Sequence, residues 1–74
     1  MKDNITQLPA RPQSDDDFLH AAQLMEQMGG GFASCIARAY YAADRHNEER
    51  LKAAFPDLFT NYYNEWLRQR NQDT

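Results

Sequence analysis

The sequence predicts an all-α fold, a small bundle of three to four short helices, and three observations lead there. Apolar side chains recur at three- and four-residue steps through much of residues 14–70. Three of these stretches begin at residues suited to start a helix: Ser14, Asp44 and Pro56. Residues that stop a helix stand between them, the run Gly29-Gly30-Gly31 and the pair Phe55-Pro56.

The opening residues 1–13, MKDNITQLPARPQ, hold two prolines and few apolar groups, and are expected to form a flexible, disordered tail outside a single helical domain at 14–70. Within them PARP, residues 9–12, has the P-x-x-P spacing of polyproline ligands with an arginine inside, a pattern short enough to arise by chance.

The first helix is expected over about residues 15 to 28. Ser14 can cap it, with Asp17 three residues on in a capping-box position, and Asp15, Asp16 and Asp17 meet the positive end of the helix dipole. Phe18, Ala21, Ala22, Met25 and Met28 then form one apolar face, with Leu19 lying off it.

A phosphate loop at residues 29–31 would need a preceding strand and a lysine after the glycines, but Phe32-Ala33-Ser34 follows. Glycine just past a helix end supplies positive φ, so the run is expected to stop the helix, with a hinge as the alternative. In the second helix Phe32, Ile36, Ala39 and Ala43 share a stripe flanked by Cys35 and Tyr40, while Ser34, Arg38 and Tyr41 point the other way.

Asp44 is expected to cap the third helix, RHNEERLKAAF, whose apolar set is thin: Leu51, Ala54 and Phe55. Pro56 disfavours helical geometry at Phe55 but suits the first position of a new helix, so a kink is expected at Phe55-Pro56. The fourth helix, about 56 to 70, carries Leu58, Phe59, Tyr62, Tyr63, Trp66 and Leu67. These span about half its circumference, wider than the roughly 100° stripe that seats a surface helix, so one edge is left to face something else. Residues 71–74 are expected to fray. The expected core is Phe18, Met25, Phe32, Ile36, Leu51, Phe55, Phe59 and Trp66.

At 74 residues and 8.6 kDa the chain makes one domain, and a core in chains below roughly 80 residues supplies only a few kcal/mol. Self-association into a homodimer would help it. Disulfide and metal props are not expected, since there is one cysteine, Cys35, and the histidines His20 and His46 stand far apart. The lone thiol and a start without an apolar h-region point to the cytoplasm. The longest weakly polar run, FASCIARAYYAA, is 12 residues with Arg38 inside, short of the ~20 residues of a membrane span.

The formal charge of −3 falls on residues 1–31, and residues 32–74 balance six basic against six acidic side chains. A grip on phosphates needs clustered Lys and Arg, so nucleic acid is not the expected partner. SDDD lacks the alternating ligands and glycine of a calcium loop. Cys35, beside the apolar stripe, is expected to pack as an inert thiol, and His20 and His46 to be solvated. Glu48 and Lys52, four apart, are expected to pair weakly. No grouping of acids, bases or nucleophiles specifies a reaction, so no enzyme, cofactor or metal is expected.

The tyrosine doublets are more informative. Tyr41 is expected to be exposed beside Ala33 and Ala37, Tyr63 and Leu67 to form one edge of the fourth helix, and Leu19 to add an apolar side chain off its helix face. Aromatic anchors with small neighbours are what protein interfaces use, so Tyr41, Tyr63, Leu67 and Leu19 are the candidate binding residues.

The run ARAYYAADRHNEERLKAAFPDLFTNYYNEW, in its A-Y-x-x-A-D-x-x-N-x-x-R-L-x-x-A-F-P-x-L-F-x-x-Y cadence, resembles small proteins of unknown function encoded by bacteriophages and prophages. The resemblance covers residues 37–66 and implies a context: an accessory protein that binds and redirects a host protein or blocks a defence system, with a host or phage protein as its partner. The expected function is therefore a non-enzymatic protein-binding module acting in the host bacterial cytoplasm. A helix-turn-helix regulator, with Ser34 and Arg38 as readers, and a structural subunit of a larger assembly are the alternatives.

Overall fold

A computed structural model of the chain describes residues 10–72. It contains α1 (Asp15–Met28), α2 (Gly30–Ala42), α3 (Arg45–Ala54) and α4 (Pro56–Gln72), with no strand among the described residues. The all-α bundle is as expected.

The helix starts follow from local chemistry. The Ser14 hydroxyl accepts from the Asp17 amide at 3.1 Å, and the Asp17 carboxylate accepts from the amides of Ser14 at 3.3 Å and Gln13 at 3.1 Å, which completes a capping box. Asp44 caps α3 by accepting from the Asn47 amide at 2.9 Å. At Phe55 the backbone leaves helical geometry (φ −130°, ψ 53°) and α4 starts on Pro56, so the corner stands where the proline requires it.

One residue, Gly29, separates α1 from α2. Its amide donates to the Met25 carbonyl at 2.9 Å, and Gly30 follows at φ +74°, the left-handed region that glycine enters without strain. A Cβ on Gly29 would stand 2.5 Å from both the Ala33 Cβ and the Met25 carbonyl oxygen. The glycine run therefore stops α1 and lets α2 fold back close against it. Tyr40 and Tyr41, late in α2, lie beside Asp15, Asp16 and Leu19, early in α1, so the pair is an antiparallel helical hairpin.

That close return decides which face of α2 is buried. Ala33 and Ala37 are buried with Tyr40, opposite Ala21, Ala22 and Met25 of α1. Phe32, expected in the core, is 62% exposed, and Ala39 of the expected stripe and Cys35 beside it are exposed as well. The joint faces Ala33, whose Cβ lies 2.5 Å from where a Cβ on Gly29 would stand, so the turn sets Ala33, Ala37 and Tyr40 toward α1. Ile36 is half-buried at the margin.

α4 packs against α1. Phe18 meets Phe59 edge-on at 5.4 Å, His20 meets Trp66, and Met28 meets Gln69. Phe59 is fully buried and also touches Tyr40 at 5.6 Å, which places it between all three longer helices. Of the expected core, Met25 and Phe59 are fully enclosed; Phe18, Leu51 and Phe55 pack half-buried against the cluster, and Trp66 is half-buried. Leu24 is buried outside that cluster.

The segment 10–13 has no regular structure but is not free of the bundle. Its Pro12 is buried, and Ala10 is hydrogen-bonded to Asn64 of α4. The remainder of the expected tail, residues 1–9, and the end of the expected fray, residues 73 and 74, lie outside the described residues.

Candidate interaction surface

Large apolar side chains that stay exposed gather on the α1–α2 hairpin: Leu19 (37%), Met28 (59%), Phe32 (62%) and Tyr41 (41%). Leu19 and Tyr41 line one depression of about 300 Å³ with Tyr40, Asp15, Asp16, Arg45 and Glu48. Two of the four sequence candidates are thus side by side. Tyr41 is exposed as expected, although the Ala33–Ala37 stripe leading to it is the buried one. Burial of its ring, then the neighbouring Glu26 carboxylate, raise the Tyr41 pKa, so its hydroxyl is a donor at neutral pH.

Charges frame this depression. Arg45 reaches Asp15 with two nitrogens, at 3.4 and 3.3 Å, and Lys52 reaches the same carboxylate at 3.4 Å. The hydrogen bond from Arg45 is the largest influence holding the Asp15 carboxyl below its ordinary range. Lys52 also pairs with Glu49 at 3.3 Å and stands 4.3 Å over the Phe18 ring. The expected Glu48–Lys52 pair is not made: Glu48 pairs with Arg45 at 3.9 Å, because Lys52 is drawn inward between Glu49 and Asp15.

Tyr63 and Leu67 lie elsewhere. Tyr63 is half-buried against the core and stacks 6.0 Å from Trp66, and burial, then Asp17, raise its pKa. Leu67 is half-buried. These two belong to the α4 side, so the four candidates form two groups and not one surface.

Sequence reasoning missed a second apolar concavity, an open groove of about 600 Å³ between α2 and α3 lined by Ala39, Ala42, Ala43, Leu51 and Ala54 with Asn47 and Arg50 at its edge. The uncharged run from Ala39 to Ala43 was the available signal, but assigning that face to the core hid it. Phe32, in the first turn of α2, meets Phe55 at the end of α3 at 5.6 Å, outside the lining of that groove.

Two residue placements differ from expectation. Cys35 is exposed, since the face beside it turns outward. His20 is half-buried and stacked on Trp66, because α4 crosses the flank of α1 that the helical wheel alone leaves to solvent. His46 is exposed. Among the described residues no three His, Cys, Asp or Glu side chains gather as a metal site would need, and no helix is long and apolar enough to cross a membrane. The single-glycine joint is shorter than the three- to four-residue turn of a helix-turn-helix, and the helices it joins are antiparallel.

No protein-family model, curated protein or solved structure matches the chain.

Proposed function

We propose that this chain is a non-enzymatic protein-binding module, a phage or prophage accessory factor that modulates a host protein in the bacterial cytoplasm. The observation that carries the reading is the exposed pair Leu19 and Tyr41, an aliphatic and an aromatic side chain flanking a charged depression. Buried aromatic anchors ringed by polar groups supply most of the energy in protein interfaces. Asp15, Asp16, Arg45 and Glu48 furnish such a rim. The cadence of residues 37–66 supports the phage context.

Self-association belongs to the same reading. Phe32 and the α2–α3 groove are apolar surface that a chain with so small a core gains by covering, and a homodimer is one way to cover it.

The test is an affinity pull-down of tagged protein from a bacterial lysate, with and without nuclease, repeated with Tyr41→Ala, Leu19→Ser and Leu67→Ser. One stoichiometric protein should survive nuclease and be lost with the first two variants while their helical circular dichroism is unchanged. Capture that disappears with nuclease would favour a nucleic-acid partner. Capture indifferent to Tyr41 and Leu19 would remove this surface from consideration.

A further inference from the structure

We propose that the face of α1 and α4 around Asn64 is a binding site for an extended, proline-bearing peptide, filled in this molecule by its own residues 10–13. The site is separate from the Leu19–Tyr41 surface and does not rest on it.

Asn64 recognises main chain. Its Oδ1 accepts from the Ala10 amide at 3.0 Å and its Nδ2 donates to the Ala10 carbonyl at 2.7 Å, the two-way pairing that a neighbouring β-strand offers a residue. The second hydrogen of Nδ2 goes to the Thr60 carbonyl at 2.8 Å, one turn back on α4, so the amide is oriented by its own helix. Three residues along the peptide, the Gln13 amide donates to the Asp17 carboxylate at 3.1 Å. Between these fastenings Pro12 is buried, whereas Ala10, Arg11 and Gln13 are exposed.

This is a general way to hold an extended peptide. Main-chain bonds give affinity without reading sequence, and one pocket selects one side chain. Proline suits that pocket because it has no amide hydrogen to leave unpaired when buried, and its ring fixes φ before binding. Within PARP, Ala10 to Pro12 thereby acquire a role as part of the resident occupant.

The occupant joins α1 through Ser14 alone, so it competes from a high effective concentration. A peptide supplied from another molecule gains the site only when the resident is loosened. Two variants of the full chain do this. Pro12→Ser removes the buried ring, and Ala10→Pro, at an exposed position, removes the amide that Asn64 accepts while leaving Pro12 in place.

The experiment is fluorescence anisotropy of a labelled LPARPQS peptide titrated with each full-length protein. Binding to both loosened variants should be at least tenfold tighter than to the unaltered chain. It should be lost when Asn64→Ala is added to either, and a LPARSQS peptide should not bind. The proposal is overturned if folded Ala10→Pro protein fails to bind the peptide, if Asn64→Ala leaves binding intact, or if the serine peptide binds equally well. Should Pro12→Ser cost helical content, the Ala10→Pro series decides by the same criteria.

Discussion

The imidazole of His20 lies flat on the indole of Trp66, ring centroids 3.9 Å apart and planes 9° from parallel, and this stack fastens the middle of α1 to α4. Arg70 stands 4.9 Å from the same indole, and Tyr63 stacks at 6.0 Å. Aromatic pairs of this kind contribute about 0.5–1.5 kcal/mol beyond the area they bury. His20→Ala is expected to lower unfolding stability by about that amount, read from urea denaturation followed by the emission of Trp66, the single tryptophan. An unchanged midpoint would show that the stack is incidental.

The three glycines are expected to respond differently to alanine. At Gly29 the new Cβ meets Ala33 and the Met25 carbonyl at 2.5 Å, so the α1–α2 interface must open, at a cost of about 1–3 kcal/mol or more. Gly30 has open space but φ +74°, so the cost there is backbone strain of about 1–2 kcal/mol. Gly31 lies inside α2 at ordinary φ with nothing near, so alanine should stabilise by about 0.5–1 kcal/mol. Thermal melts of the three variants should rank in that order.

Phe59→Ala removes the largest fully buried side chain, from the place where α1, α2 and α4 meet. Such truncations cost about 3–5 kcal/mol, comparable to the whole stability of so small a domain. Loss of the cooperative melt is expected. Phe32→Ala, at an exposed ring of the same size, is expected to stay within about 1 kcal/mol of the unaltered protein.

Acid should destabilise the chain through Asp15 and Asp17. Both carboxyls titrate below the ordinary 3.8, Asp15 chiefly through its hydrogen bond and attraction to Arg45, Asp17 chiefly through the Gln13 amide. A pKa depressed by folding means that the unfolded chain takes up the proton first. The stabilisation is therefore complete above the unfolded value and is lost as pH falls through 3.8 toward the lower folded values. Melting temperature should drop across that interval, and Asp17→Asn should flatten the drop. High salt should weaken the exposed Asp15 contribution and leave that of Asp17, which rests on backbone hydrogen bonds.

Helix boundaries were legible because their causes are local. Ser14 with Asp17, Asp44 and Phe55-Pro56 act within four residues of themselves, and each stands where the chain alone puts it. Tyr41 was found exposed for a related reason: two adjacent tyrosines lie 100° apart on a helix, and both cannot face the core. The inward face of α2 was not legible. Phe32 and Ile36 outweigh Ala33 and Ala37 on any scale of apolarity, so bulk pointed to the wrong stripe.

Which residues start, stop and cap each helix is written in the order of the chain, since hydrogen-bond partners three or four positions apart suffice. Which stripe of α2 turns inward, where His20 and Cys35 end up, and what Asn64 holds depend on how the helices pack. At the joint, Gly29 leaves no room for a Cβ beside Ala33 and the Met25 carbonyl, so the turn fixes which residues of α2 face α1. His20 stacks on Trp66 because α4 lies across that flank of α1, and Asn64 holds Ala10 because residues 10–13 return to α4, so partners distant in the chain decide these placements.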